Sequence, residues 1–515
     1  MTVTNFKKYL LAILAAALIL IFLGVLLPAC VSAPGNNNVF TFSDTSVTAA
    51  SEGTGYEIDG TDLTINAAGT YTLTGSCTEG SVTVKKEVTG VTLVLDDLTL
   101  TSSETAPISC NKSSSVTIEA QGESTLTNTE DASTEDTSDS FEGAVIKVKS
   151  NASLNLTGSG TLNIEGTCKN GIKGGTGASV TVSDLTLNVN ATDNALTSDG
   201  SVVVNSGVLT LNAGNDGLKS GGTLTVNGGS FTLDCADDAF HAANVTLVSG
   251  TYTLSSGDDG VHADEALVVG VQNAENGPDI TITASYEGFE GATVTLYSGS
   301  GSMAASDDGI NAANGDLDSS YGFTLDIWGG NWYVNAHGDA LDSNGDINFH
   351  GGVTEFYGAS NNGDAALDYD GSCTYDGGTF LAVGTTGMAQ TPSTGTYVAF
   401  GTTGMGGMTN ETVDASTSEF VITEGSAIVI KDSDGNVLYS ATGVKAANSI
   451  VFGAEPLVEG ETYTLYIDGA EAATATAETG TGATQGFGGS MGGRRPGGTT
   501  GTQSGTTGSS ESTAA

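Results

Sequence analysis

The chain has no arginine before Arg494, and only 14 Lys and Arg in 515 residues against 60 Asp and Glu, for a net charge of −46. So acidic a surface repels nucleic acid and anionic lipid and attracts cations, which excludes a nucleic-acid-binding role. Proline is scarce as well, at 7, while glycine reaches 74. With abundant Ser and Thr and short apolar alternations, that balance suits short strands joined by tight turns and leaves little room for long helices. Acidic chains with few aromatics are often disordered. Here β-branched and leucine residues recur on a strict pattern, which predicts that most of the chain folds. Cysteine forms no framework: Cys77, Cys110, Cys168, Cys235 and Cys373 are irregularly spaced and include no CxxC pair. Cys235 is in phase with apolar neighbours and reads as a small core residue. The 4 histidines read as too scattered for a transition-metal site.

A long apolar run occurs only near the start, where Lys7 and Lys8 precede Tyr9–Leu27. It reads as an export signal, or as an uncleaved anchor. Leu27-Pro28-Ala29-Cys30 resembles the lipobox of bacterial lipoproteins, with Cys30 as the lipidated residue, although Pro28 departs from the usual small residue. Either reading attaches the N-terminus to a membrane and places the remainder outside the cytoplasm, at the cell surface.

What is abundant is one turn, repeated. It appears as NDGLKS, ADDAFHA, SGDDGVHA, SDDGINA, HGDALDS and GDAALDYD. Aligned on the apolar residue after the acids, the set is Ile172, Leu196, Leu218, Phe240, Val261, Phe289, Ile310, Leu341 and Leu367. A basal interval near 22 residues with occasional insertions marks a solenoid. Each unit holds a short strand such as TLTV, a glycine turn such as NGG, a second strand such as FTL, the acidic turn and a third short strand. The pattern predicts an all-β, right-handed parallel β-helix with three short strands per coil. Leu209, Phe231, Tyr252 and Trp332 should stack inside, as should Leu211, Leu233, Leu254 and Val334.

The expected layout is a signal or anchor segment at 1–30 and the β-helix at 31–385, with an acidic, mobile loop at 128–143. Terminal coils and a small β cap built of hairpins follow at 386–478, then a disordered Gly/Thr/Ser-rich tail at 479–515. The chain reads as a monomer.

Stacking turns the acidic repeat into chemistry. Asp216, Asp238, Asp259, Asp308 and Asp339 each precede the small residue of their turn, and Asp237, Asp258 and Asp307 lie one residue earlier. At coil spacing, roughly 5 Å, adjacent carboxylates repel by about 3 kcal/mol at an effective dielectric near 20. A hard divalent cation relieves this, and calcium accepts irregular sets of carboxylates and carbonyls. These residues, with Asp342 and Asp364, are therefore candidate Ca²⁺ ligands. The alternative is that Asp-Gly pairs only make tight turns. One residue past the aligned apolar position runs an outward strip: Lys173, Thr197, Lys219, His241, His262, Glu290, Asn311, Asp342 and Asp368. Lys219, His241, His262 and Asn311 are candidate sugar contacts, and lysines there can pair with uronate carboxylates. Among aromatics, Tyr333 points outward, Tyr357 and Tyr369 are weaker platforms, and Trp332 reads as core.

The reiterated DDG turns followed by an apolar residue and His or Asn, the NGG-aromatic strands, the ETYTLYIDG ending and the GGSMGGRRPGG tail together resemble a known family. It is the clostridial-type cell-surface carbohydrate-binding parallel β-helix proteins, related in fold to pectate and other polysaccharide lyases. The resemblance implies calcium at the acidic turns and binding of plant cell-wall polysaccharide of the cellulose or pectin type. The leading expectation is therefore a non-catalytic, calcium-stabilised polysaccharide-binding protein. A calcium-dependent lyase is the alternative, with Lys219 beside Asp216, Asp237 and Asp238 as the candidate base. A surface adhesin or structural protein is another. A hydrolase of the polygalacturonase kind ranks lower, because a uniform row of acids suits metal better than a tuned pair.

Overall fold

A computed structural model describes residues 38–482, apart from 136–137, 139, 316, 318–320, 402–412 and 414–417. The segments assigned above to export, to Cys30 and to most of the tail lie outside the described residues. The chain is all-β, a parallel β-solenoid of about 12 turns, with one short 3₁₀ turn among the described residues, at Ala132–Thr134.

Three parallel ladders make three faces. The first carries the strand after each acidic turn. Its register runs Ile108, Ile146, Ile172, Leu196, Leu218, Phe240, Val261, Phe289, Ile310 and Leu341, and a single bridge adds Leu367. The alignment drawn from sequence is thus the physical register, and Leu63, Val82, Ile108 and Ile146 extend it toward the N-terminus. In four coils the first- and second-face strands fuse into one bent strand, such as Leu218–Val226, with a register shift between Ser220 and Thr223. A glycine turn then leads to the third face. Gly229 shows why glycine is needed there: its φ is +122°, and a Cβ would sit 3.0 Å from the Gly207 carbonyl of the preceding coil.

On the third face Leu209, Phe231, Tyr252, Ile280, Gly301 and Trp332 follow in register. Phe231 and Tyr252 lie nearly parallel with centroids 4.8 Å apart. Trp332 fits this row because Gly301 yields its place; a Cβ on Gly301 would lie 2.7 Å from the indole. Cys235 is buried, as expected. Each large side chain taken from water contributes roughly 1.5–3 kcal/mol, and only a neighbouring coil supplies the cover.

Both ends of the stack are closed, which removes exposed strand edges. At the N-terminal end Asn38–Ser43 pairs antiparallel with Ser46–Ala49, and Tyr56–Asp59 with Asp62–Ile65. At the other end Ser449–Ala454 pairs antiparallel with Thr379–Gly384 and Thr394–Phe400. Beside it stands a four-stranded antiparallel sheet of Ala427–Lys431, Val437–Thr442, Thr462–Ile467 and Ala470–Thr476, with a second apolar core. Order reaches past 478, where a disordered tail was expected to begin: Glu478–Thr481 pairs with Thr394–Tyr397 because that edge strand still offers a free ladder.

The acidic loop is anchored at its base. Glu130 is buried and accepts from the Asn128 side chain at 2.8 Å and from the Glu142 and Gly143 backbone N–H groups at 2.9 Å. Sequence reading saw only charge there, whereas Glu130 is a structural acceptor.

Candidate functional site

The strip of the first face follows from strand alternation, although His262, Glu290 and Asn311 are buried rather than exposed. Where Leu218 and Ser220 point in, Lys219 points out. Register stacks Lys147, Lys173, Thr197, Lys219, His241, His262, Glu290, Asn311 and Asp342 in turn. The strip is therefore cationic at its N-terminal end and acidic at its C-terminal end. Lys147 was missed because the acidic loop stretches the interval before it.

Beside the strip runs the turn row Asn170, Asn194, Asp216, Asp238, Asp259, Glu287, Asp308 and Asp339. Its side chains help weld coil to coil. The Asp259 N–H donates to Asp238 Oδ1 at 2.9 Å, the Asp339 N–H to Asp308 Oδ1 at 2.7 Å, and the Ala365 N–H to Asp339 Oδ1. The carbonyls of Asp216, Asp238, Asp259, Asp308 and Asp339 each accept a backbone N–H from the preceding coil. Carbonyls expected as cation ligands are thus engaged in the ladder, and the carboxylates carry what donor capacity remains. Glu287 was missed as a member, although it stands directly before Gly288-Phe289 as Asp259 stands before Gly260-Val261.

In the N-terminal part of this row each acid has a basic partner. Lys219 Nζ lies 2.6 Å from Asp216 Oδ2, His241 Nδ1 3.0 Å from Asp238 Oδ2, and His262 Nδ1 2.7 Å from Asp259 Oδ2. Asp216 is fully buried, which opposes its charge, yet His241 and Lys219 outweigh burial and hold its carboxyl below the usual range. Burial likewise opposes a charged His241, but Asp216 and Asp238 push it up to about 9. His262 is raised further by Asp259, Asp264 and Glu290 against the same penalty. As their places in successive coils of the strip imply, these two rings lie 4.6 Å apart. Asp237 and Asp258 gather with Asp238 at the rim of the same turns, and burial followed by Asp238 raises Asp237.

In the C-terminal part the partners are other acids. Burial, then Asp307, pushes Asp308 up to about 7. Asp339 is raised by burial and by Asp308, Asp342 and Asp368; Asp342 by burial and by Asp308, Asp368 and Asp370. Glu287 is raised by burial and by Glu290, Asp259 and Asp308. Among the described residues, no Lys, Arg or His lies within 4 Å of Asp307, Asp308, Asp339, Asp342, Asp364 or Asp368. Gly338 makes room for the cluster: a Cβ there would stand 2.4 Å from Asp308 Oδ1 and 2.8 Å from Asp307 Oδ1. Asp364 is held by Asn361 Nδ2 at 3.2 Å. Two amide groups join the acids. Asn311 donates to Glu287 at 3.1 Å and Gln390 donates to Asp368, while Asn311 Oδ1 and Gln390 Oε1 are buried with no hydrogen-bond partner.

The aromatic candidates fare differently. Trp332 is core, as expected. Tyr333 is half-buried, packs against the cap core and lies 5.8 Å from Tyr357. Tyr357 and Tyr369 are fully buried rather than exposed. The Tyr357 hydroxyl has two acceptors for its one proton, Glu355 at 2.8 Å and the Thr442 carbonyl of the cap at 2.9 Å, a role that needed the cap to be seen. The indole that does face solvent is Trp328, 45 % exposed and stacked on His350 at 4.0 Å. It heads the glycine turn Trp328-Gly329-Gly330 and was not among the aromatic candidates.

Comparison with known proteins bears on this arrangement. Residues 59–223 and 217–260 match the model of a family described as carbohydrate-binding domain-containing protein. No curated protein matches the chain. A solved structure titled as the polysaccharide lyase-like protein from C. thermocellum, gadolinium derivative, is 26 % identical; the match covers 45 % of this chain and 96 % of that one, with a TM-score of 0.41. Residues 59–260 are thus similar to the carbohydrate-binding domain-containing proteins, in line with the resemblance carried by the chain's turns and strands.

Proposed function

We propose that this chain is a calcium-stabilised, non-catalytic polysaccharide-binding protein of the cell surface that takes acidic, pectic-type glycans along its first face. The observation that carries the reading is the cationic strip Lys147, Lys173, Lys219, His241 and His262, lying in or directly beside the segment that matches a carbohydrate-binding family. A straight strip with one side chain per coil suits a linear chain of sugars, and its ammonium groups suit carboxylates.

Calcium belongs to the other end. The donors there are all oxygen: the carboxylates of Glu287, Asp308, Asp339, Asp342 and Asp368 and the unpartnered amide oxygens of Asn311 and Gln390. That chemistry fits calcium. The ion would supply the positive charge that these coils lack. Lyase chemistry has less support. Lys219 meets the buried Asp216 at 2.6 Å as a donor, whereas a base must offer a free lone pair.

The test is retention of the purified protein on immobilised polygalacturonate and on cellulose, with and without calcium. Absorbance of unsaturated uronate is followed in parallel. Retention on polygalacturonate that weakens at least tenfold in Lys173→Ala and Lys219→Ala, with flat absorbance, is expected. Retention indifferent to both substitutions contradicts the strip, and rising absorbance contradicts the non-catalytic reading. Surface attachment through Tyr9–Leu27 or Cys30 is tested by fatty-acid labelling of cells expressing the chain, which Cys30→Ala should abolish if Cys30 is the anchor.

A further inference from the structure

His241 and His262 occupy successive coils of the strip, and each turns the same ring edge toward its own acidic turn. Nδ1 of His241 faces Asp238, and Nδ1 of His262 faces Asp259 and also Glu290, at 2.6 Å from Oε2. Both Nε2 atoms are thereby presented on the opposite edge, each 3.5 Å from one oxygen, Asp264 Oδ1. The three donor atoms all lie within 4.8 Å of one another. Ligands of a tetrahedral ion with bonds of about 2.1 Å stand about 3.4 Å apart, so the two nitrogen–oxygen spacings of 3.5 Å match. A carboxylate behind one ring nitrogen, fixing the direction of the other, is how metal-binding histidines are oriented.

A second observation points the same way. Asp216 is 0 % exposed, and its Oδ1 lies 3.7 Å from His241 Nδ1; both atoms are buried with no hydrogen-bond partner, so charge rather than a hydrogen bond stands behind the His241 ring. The imidazole pair is therefore backed by more negative charge than its hydrogen bonds use. In the metal-free chain the two rings serve as counter-charges; a bound cation takes over that part.

We propose that His241 Nε2, His262 Nε2 and the Asp264 carboxylate bind one divalent transition-metal ion of the zinc class, with Asp238 and Asp259 as positioning residues. Two imidazoles and one carboxylate favour such an ion over calcium, which prefers oxygen throughout. The Asp264 side chain is 53 % exposed, so the site opens to solvent and leaves a coordination position for water or an anionic ligand. This inference does not depend on the glycan reading.

The experiment is calorimetric titration of zinc into the full chain, stripped of metal and held in excess calcium so that the acidic coils are already filled. One zinc per chain is expected. His262→Ala and Asp264→Asn should each weaken binding at least tenfold, and the solvent-facing Asp264→Asn variant guards against loss of fold. Absence of stoichiometric uptake, an affinity unchanged in Asp264→Asn, or displacement of zinc by calcium would each overturn the proposal.

Discussion

Two stretches of one turn row, built on the same backbone, solve the problem of stacked charge in opposite ways. From Asp216 to Asp259 the chain supplies its own cations, with Lys219, His241 and His262 each set three residues after the acid that they face. At Glu287, Asp308 and Asp339 no Lys, Arg or His lies within 4 Å among the described residues, and burial raises the carboxyls instead. A repeat thus fixes where side chains stand, while the residue three places on decides whether a position is a closed ion pair or an open demand for a cation.

The contrast predicts, first and largest, a two-window pH response of the metal-free protein. Acids raised when folded contribute stability that is complete below their unfolded pKa and fades as pH climbs toward the folded value. For Asp308 that window runs from about 4 to about 7. His241, raised to about 9, contributes stability that fades between about 6.5 and 9. Melting in chelator should therefore fall from pH 5 to pH 9 by more than any single substitution causes. Asp308→Asn should remove part of the lower window and His241→Ala part of the upper one. A melting temperature that rises over this range contradicts both halves of the comparison.

Next, Asp216→Asn should cost about 2–3 kcal/mol by denaturant unfolding. That is below the 3–5 of a fully buried pair, because Lys219 stays one third exposed to water. The smaller effect carries the opposite sign: Asp342→Asn should stabilise the metal-free protein by about 1 kcal/mol, by removing one like charge from a crowd. Saturating calcium should reverse that gain. Equal signs for the two substitutions would erase the distinction between the stretches.

The sequence made the solenoid legible because a β-helix writes its coil length directly into the spacing of apolar residues and glycine turns. Phe240, Val261 and Phe289 could be aligned by eye, and they pair in register. The outward strip was legible for the same reason. What could not be read were contacts that leave the repeat. Tyr357 and Tyr369 looked exposable because strand phase says nothing about a cap that arrives 85 residues later to take the Tyr357 hydroxyl. His241 and His262, by contrast, were legible as neighbours one coil apart, and their rings lie 4.6 Å apart. Asp264 and Gln390 lie outside the repeated offsets, so no periodic argument reaches them. Glu287 did carry a signal, its place before the glycine, which a search for paired aspartates passed over.

The most direct test is calcium titration of the full chain by calorimetry, comparing the natural sequence with Asp342→Asn and Asp216→Asn. The account predicts that Asp342→Asn weakens calcium at least tenfold while Asp216→Asn leaves its affinity unchanged. Calcium binding that survives Asp342→Asn but is lost in Asp216→Asn would contradict it.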